Sequence, residues 1–115
     1  MNKRTVGSRY EKIAAAFLQH LGMELITMNY RCRFGEIDLI LKDEDVLVFC
    51  EVKYRADRSC GFGEDHVDIR KQRTIYRVAE QYLTAKGLTD CYCRFDVVAV
   101  DGDSIKHIKN AFEKR

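Results

Sequence analysis

Proline is absent from this 115-residue chain, and glycine occurs only seven times. A chain so poor in both is not a linker-rich or disordered polypeptide. No apolar run approaches the ~18 residues of a membrane-spanning helix. The opening MNKRTVGSRYEK lacks the apolar centre of a signal peptide. No membrane partner is therefore expected, and the cytoplasm is the expected location. An excess of one charge is also missing. Twenty Lys and Arg against 18 Asp and Glu leave a formal +2, so any basic surface must come from local clustering. The five cysteines, at 32, 50, 60, 91 and 93, are odd in number and include no C-x-x-C pair. Cys91 and Cys93 would point the same way on a strand, but a lone C-x-C is weak evidence for zinc. Cys50 lies in an apolar run, where a thiol serves as a small hydrophobe. The pattern suits a reduced, intracellular protein.

What is present is enough hydrophobic material, 46%, for one domain over residues 1–115 with one core. Gly7-Ser8 precedes a helical pattern. Ser8 is a candidate N-cap with Glu11 at capping-box spacing, Ile13, Phe17, Leu18 and Leu21 form the apolar face, and Gly22 is the stop. Residues 24–33 alternate as a half-buried strand. Residues 36–41 and 46–54 are apolar runs joined by Lys42-Asp43-Glu44-Asp45, which predicts a β-hairpin with a four-residue loop. Ile37, Leu39, Val48 and Val52 are assigned to one side, and Ile40, Leu47 and Phe49 to the other. Strands apolar on both faces sit mid-sheet under two layers of helix. A long loop over 56–67 follows, then a helix from a cap at Asp68 to about Lys86, stopped by Gly87. Ile75, Val78, Ala79 and Tyr82 form its apolar face. Strands over 92–100 and 104–108 complete an α/β order of α-β-β-β-α-β-β.

The chemistry-bearing residues lie on the hairpin. Alternation puts Glu36, Asp38 and Ile40 on one face of its first strand, and Leu47, Phe49, Glu51, Lys53 and Arg55 on one face of its second. With residues 42–45 as the loop, Leu41 opposes Val46, Asp38 opposes Phe49 and Glu36 opposes Glu51. Asp38 and Glu51 are then diagonal neighbours, ~7–8 Å apart between backbones. A one-residue slip would put the acids on opposite faces. Three carboxylates at the end of an apolar face raise one another's pKa unless positive charge sits among them. Lys53 supplies some, and hard oxygen ligands suit Mg²⁺ or Mn²⁺. In that reading Asp38 and Glu51 hold the ion, Glu36 ligates a second ion or accepts from an arginine, and Lys53 acts on the scissile phosphate and attacking water. The alternative is a surface ion-pair network on a hairpin.

Lys71 stands in the first turn of the second predicted helix, on the same side as Ile75. A cation there opposes the helix dipole, but suits a phosphate or an adjacent acid cluster. Gln72 and Tyr76 share a Q-x-x-x-Y spacing, with packing the simpler role for Tyr76. Arg31, Arg33, Arg55 and Arg58 flank the hairpin ends as candidate contacts to a DNA backbone, and Tyr54 and Phe62 as stacking partners for unpaired bases. Asp96 stands among apolar neighbours, which implies a buried ion pair, with an arginine the first candidate partner. The three histidines are scattered and receive no role.

Asp38 followed by Glu51-Val52-Lys53 resembles the D-(x)12-E-x-K core of PD-(D/E)xK nucleases, with Ile37 in place of the proline of that motif's name. A closer resemblance is to the bacterial YraN family, related to archaeal Holliday-junction resolvases. It is carried by Gly7 with Glu11-Lys12-Ile13-Ala14, Asn29-Tyr30-Arg31, Gly35-Glu36-Ile37-Asp38-Leu39-Ile40, Val48 through Arg55, Gly63, Lys71 and Arg94-Phe95-Asp96-Val97-Val98. The resemblance implies a restriction-endonuclease-like fold, with a mixed central sheet between helices and Asp38, Glu51 and Lys53 in the nuclease positions. It also sets Glu11 beside the metal, which competes with the capping role. The function expected is a Mg²⁺- or Mn²⁺-dependent phosphodiesterase acting on DNA, with branched and single-stranded forms as candidate substrates. The runner-up is a nucleic-acid-binding or DNA-processing accessory module with little cleavage of its own. A third reading is a structural protein with an ion-pair cluster. Resolvase-like relatives often pair, so a homodimer is compatible with the resemblance.

Overall fold

The computed structural model describes residues 3–54 and 67–113, and of residues 3–8 the backbone alone. The elements follow in the expected order: α1 (Lys3–His20), β1 (Glu24–Cys32), β2 (Gly35–Asp43), β3 (Val46–Tyr54), α2 (Ile69–Lys86), β4 (Tyr92–Asp101) and β5 (Ser104–Ile108). The strands form one sheet in the order β1-β2-β3-β4-β5. Neighbours are antiparallel except β3 and β4, which run parallel. That parallel pair needs a crossover, and α2 lies within it.

Each helix covers one face of the sheet. Ile40, Leu47, Phe49 and Val97 pack with Ile75, Val78, Ala79 and Tyr82 of α2. Leu39, Leu41, Val48, Cys50, Val98 and Val100 pack with Ala14, Ala15 and Leu18 of α1. This is why the central strands read as apolar on both sides. The α2 boundaries are those the sequence marks: the Asp68 side chain accepts from Arg70 N–H at 2.7 Å, and Gly87 closes the helix in the left-handed region at φ 67°. Gly35 opens β2 where the β1–β2 turn meets α2. A Cβ there would lie 2.6 Å from the Thr74 methyl, so only glycine lets the turn and helix close.

Three expectations are corrected. First, α1 begins at Lys3, so Ser8 is not its cap and Glu11 is no capping acid. Its buried face is Ala14, Ala15 and Leu18, with Ile13 and Leu21 exposed. Small alanines let the helix approach the sheet closely, and that selects a different stripe from the largest side chains. Second, the β2–β3 loop is two residues, not four. Asp43 pairs with Val46 and Leu39 with Cys50. Lys42 and Asp43 read as loop because they are polar, but Arg94 Nη1 holds Asp43 Oδ2 at 3.0 Å and the strand continues. The register therefore moves by two residues from the one expected, which preserves the faces of β3. Third, alternation breaks in β2. Ile37 packs on the α2 side while Leu39 and Leu41 pack on the α1 side, so Ile37 does not share a face with Leu39, nor Ile40 with Asp38. The partner strand breaks at the same level: Asn29 adopts the left-handed region at φ 55°, Met28 packs on the α1 side and Tyr30 on the α2 side.

Candidate metal centre

The break in alternation sits where the acids gather. Glu11 follows the Ala14, Ala15 and Leu18 stripe one turn back along α1, so the packing of that helix delivers its carboxylate to the sheet. Glu36 stands opposite Arg31 in the β1–β2 ladder and accepts from Arg31 Nε at 2.6 Å. Asp38 lies just past the last β2–β3 pair, Leu39 with Cys50. There its side chain takes over from the ladder: Asp38 Oδ2 accepts from Val52 N–H at 2.8 Å. One ligand oxygen from each of Glu11, Glu36 and Asp38 lies within 4.8 Å of the others. Glu51 and Lys53 continue the α2-facing alternation of Leu47 and Phe49 on β3, and both are half-buried. Lys71, from the first turn of α2, brings Nζ to 3.5 Å from Glu51 Oε1.

Among the described residues, burial outweighs the positive charge near three of these carboxylates. Burial pushes Glu11 up to about 7, helped by the Asp38 charge and a hydrogen bond with Asp38, while a hydrogen bond from Asn29 works the other way. Burial also raises Asp38, against the Val52 N–H, the Glu11 hydrogen bond and the Lys71 charge. Glu51 is pushed up to about 8 by burial and then by Asp38, with Lys71 opposing. Glu51 Oε2 is buried with no hydrogen-bond partner among the described residues. A buried acceptor without a donor is costly. It marks a place where a cation would be stabilising. Glu11, Glu36 and Asp38, with no histidine or thiolate among them, make an all-oxygen donor set that fits a hard divalent ion such as Mg²⁺ or Mn²⁺, and Glu51 adjoins that set through its hydrogen bond with Asp38 rather than as one of the three that converge. The donor chemistry of the three and the orphaned Glu51 oxygen next to Asp38 fit such an ion.

The remaining candidates divide. Arg31 is committed to Glu36, although its side chain stays mostly exposed. Arg33 is exposed at the β1–β2 turn, with its guanidinium 4.8 Å from the centre of the Phe34 ring. Arg55, Arg58, Phe62 and Gly63 lie outside the described residues. Tyr76 is buried against Phe95 and Phe112 and donates its hydroxyl to the Glu113 carbonyl. Gln72 donates to the Val67 carbonyl at 2.7 Å, which ties the start of α2 to the segment before it. A cavity of about 470 Å³ between α2 and the sheet is lined by Phe49, Tyr76, Leu83, Phe95 and Phe112, and none of the four clustered acids borders it.

Two features escaped the sequence reading. Asn29 holds Glu11 by its side chain and carries the irregular backbone of β1; Asn is among the few residues that tolerate the left-handed region, and that was the available signal. The second is His107. Asp96 has the expected arginine, since Arg94 Nε and Nη2 donate to its two oxygens at 2.8 and 3.0 Å. It also meets His107 Nε2 at 2.8 Å and accepts from Asn110 N–H at 3.0 Å. Burial pushes Asp96 up, but His107, Arg94 and the Asn110 N–H outweigh it and the carboxyl lies below its ordinary value. No helix among the described residues is long and apolar enough to cross a membrane.

The model of the family described as "Uncharacterised protein family UPF0102" matches residues 10–100, which takes in every clustered acid and both lysines. A UPF0102 protein of Lachnoclostridium phytofermentans is 44% identical over 114 residues, covering 98% of this chain and 97% of the relative. One of Nitrosospira multiformis is 42% identical over 116 residues, with 98% and 97% covered. One of Syntrophus aciditrophicus is 45% identical over 116 residues, with 97% and 91% covered. With the family model spanning most of the chain and relatives this similar along nearly all of it, the chain belongs to the UPF0102 family, the one its motifs resemble under the name YraN.

Proposed function

We propose that this protein is a Mg²⁺- or Mn²⁺-dependent nuclease that hydrolyses phosphodiester bonds in DNA. The observation that carries the reading is Glu51. One of its oxygens is buried without a partner among the described residues, its pKa is pushed up to about 8, and the acids Asp38 and Glu11 stand alongside. In this reading Asp38 and Glu51 hold the ion, with Glu11 and Glu36 completing the oxygen set. A divalent ion bound there polarises a phosphoryl oxygen and lowers the pKa of a water.

The chain's own groups do the rest. The Val52 N–H fixes the Asp38 carboxylate, so the oxygen left over keeps one orientation. Lys53 follows Glu51 on the same side of β3, where its ammonium stabilises negative charge gathering on the phosphoryl oxygens. Lys71 partly neutralises Glu51 and offers a second cation to a phosphate. The exposed Arg33, with Arg31 beside Glu36, provides cationic surface next to the acids for a polyanionic strand, a contact that weakens steeply with salt.

The test is a panel of labelled junction, flap, single-stranded and duplex DNA incubated with Mn²⁺ or with chelator. Cleavage of at least one substrate with Mn²⁺ and none with chelator is expected. Asp38→Ala should abolish it, and Lys53→Ala should reduce it by about a hundred-fold or more, with both variants folded. The 3.5 Å ion pair between Lys71 and Glu51 favours a second reading, because it already meets part of the cluster's need for charge. In that reading the protein binds DNA as an accessory module and cuts little. Wild-type protein that binds the panel and cleaves none of it would establish the second reading.

A further inference from the structure

Two tyrosines adjoin residues of the candidate site in the chain, one on α1 and one on β3. Tyr10 immediately precedes Glu11 on α1, and Tyr54 immediately follows Lys53 at the end of β3. Their rings are stacked, with centroids 4.0 Å apart and planes 18° from parallel. The hydroxyls are also hydrogen-bonded, and the Arg9 charge bears on Tyr54.

Most of the chain's other aromatic rings serve the core. Phe49, Tyr76, Tyr82 and Phe112 are all at or below 9% exposure, and they pack in edge and stacked contacts between α2 and the sheet. Tyr54 is 45% exposed. Tyr10 packs against the α1-side core, but that packing does not require Tyr54 to leave nearly half of its surface exposed. The stack instead holds a large flat ring in one orientation at the protein surface on the α1 side of the sheet, the side from which Glu11 reaches Asp38. Ordering that ring costs little at the moment of binding, since Tyr10 already fixes it.

We propose that the Tyr10–Tyr54 stack is a platform for an unpaired nucleobase of a DNA strand whose phosphate lies in the acid cluster. The proposal rests on the phosphodiesterase reading of that cluster and adds the substrate class. Inside a duplex both faces of every base are covered by neighbours, so a flat aromatic surface has nothing to take there. A single strand, or the unpaired arm of a branched molecule, has free faces, and stacking on a tyrosine is indifferent to base identity. Arg9 on the same rim adds positive charge for the backbone of that strand.

The test uses the full chain with Ca²⁺ in place of Mg²⁺. The natural sequence has no tryptophan, so Tyr54→Trp introduces a unique fluorophore at the platform. Its emission should be quenched by a single-stranded oligonucleotide and unchanged by a blunt, fully paired duplex. Tyr54→Leu should weaken single-strand binding ~10-fold and leave duplex binding within about twofold, while Tyr54→Phe retains wild-type affinity because the ring does the stacking. Emission that ignores the single strand, or is quenched equally by duplex, would overturn the platform. So would Tyr54→Leu binding single strands as the wild type does. If the wild type binds DNA but the tryptophan stays silent, the platform fails and the nuclease reading stands. If the wild type binds no DNA of either form, both fail together.

Discussion

Two groups of acids lie along the same helix and have opposite electrostatic fates. Near the end of α1, where Phe17 meets the edge of His107, Asp96 is fully buried and saturated. Two guanidinium nitrogens, an imidazole and a backbone N–H all serve one carboxylate, and its pKa is lowered. Nearer the start of α1, Glu11, Glu36, Asp38 and Glu51 crowd together, one buried Glu51 oxygen has no partner among the described residues, and Glu11, Asp38 and Glu51 are all raised. The chain can build a satisfied buried carboxylate, and does so at one end of the sheet. The deficit at the other end is where the proposed nuclease reading would seat its cation.

The sharpest way to break the comparison is to damage the saturated group. Asp96→Ala leaves His107, the Asn110 N–H and two Arg94 donors without their buried partner, with Asp43 still pairing the guanidinium, and should cost ~3–5 kcal/mol, read from urea unfolding. A loss under ~1 kcal/mol would show the network to be dispensable and remove the contrast. Next in size is the response to the ion. At about a hundred times its dissociation constant, Mn²⁺ should add ~2–3 kcal/mol to the stability of the wild type. Asp38→Asn should abolish that gain, whereas His107→Gln should keep it. Equal responses in all three proteins would mean the ion binds elsewhere.

The pH dependence separates the two groups by sign. Asp96 lies below its ordinary value of 3.8, so its contribution is complete above that pH and lost as pH falls through the lower folded value. Glu11 and Glu51 lie at about 7 and about 8 against 4.5 in the unfolded chain. Between those limits the folded state binds more protons than the unfolded one. In chelator, stability should therefore decline as pH rises from 4.5 toward 8, by on the order of 1–2 kcal/mol after allowance for partial exposure. Saturating Mn²⁺ should flatten the decline, and Glu51→Gln should reduce it. A stability that rises across this interval in chelator would show the acids to be well compensated. The smallest effect concerns Asn29. Asn29→Ala should cost about 1 kcal/mol for its left-handed backbone. Asn29→Gly should recover that loss and still bind Mn²⁺ more weakly than wild type, because the side chain that holds Glu11 is gone. If glycine restores both, Asn29 serves the backbone alone.

Much of this was readable from the residues. The period-2 runs around Leu39 and Val48, the cap at Asp68 and the stop at Gly87 report local preferences, and local preferences survive folding. The acids were legible as anomalies, being charges that end apolar strands. The face of Glu51 and Lys53 tolerated an error in loop length, because a shift of two residues changes no face on β3, but Asp38 reaches Glu51 through the break in β2 alternation and not by sharing the face of Ile40. The partners of Asp96 were only half legible. Arg94 is two residues away on the same strand, but His107 arrives from β5 through pairing of Val98 with His107, and no local pattern announces that. The stripe on α1 was misread for a similar reason: apolar size suggested Ile13 and Leu21, while close approach to the sheet chose Ala14 and Ala15.

By itself, then, the sequence determined the order of helices and strands, the two-sided burial of the central strands, and the presence of acids and lysines that the core could not absorb. These follow from periodicity and from the cost of burying charge, and both act within a short stretch of chain. Only the tertiary structure decided which carboxylates meet. The left-handed turn at Asn29, the approach of α1 on its alanines and the placement of Lys71 by α2 each depend on contacts between distant segments, whose register is set by packing across the whole sheet.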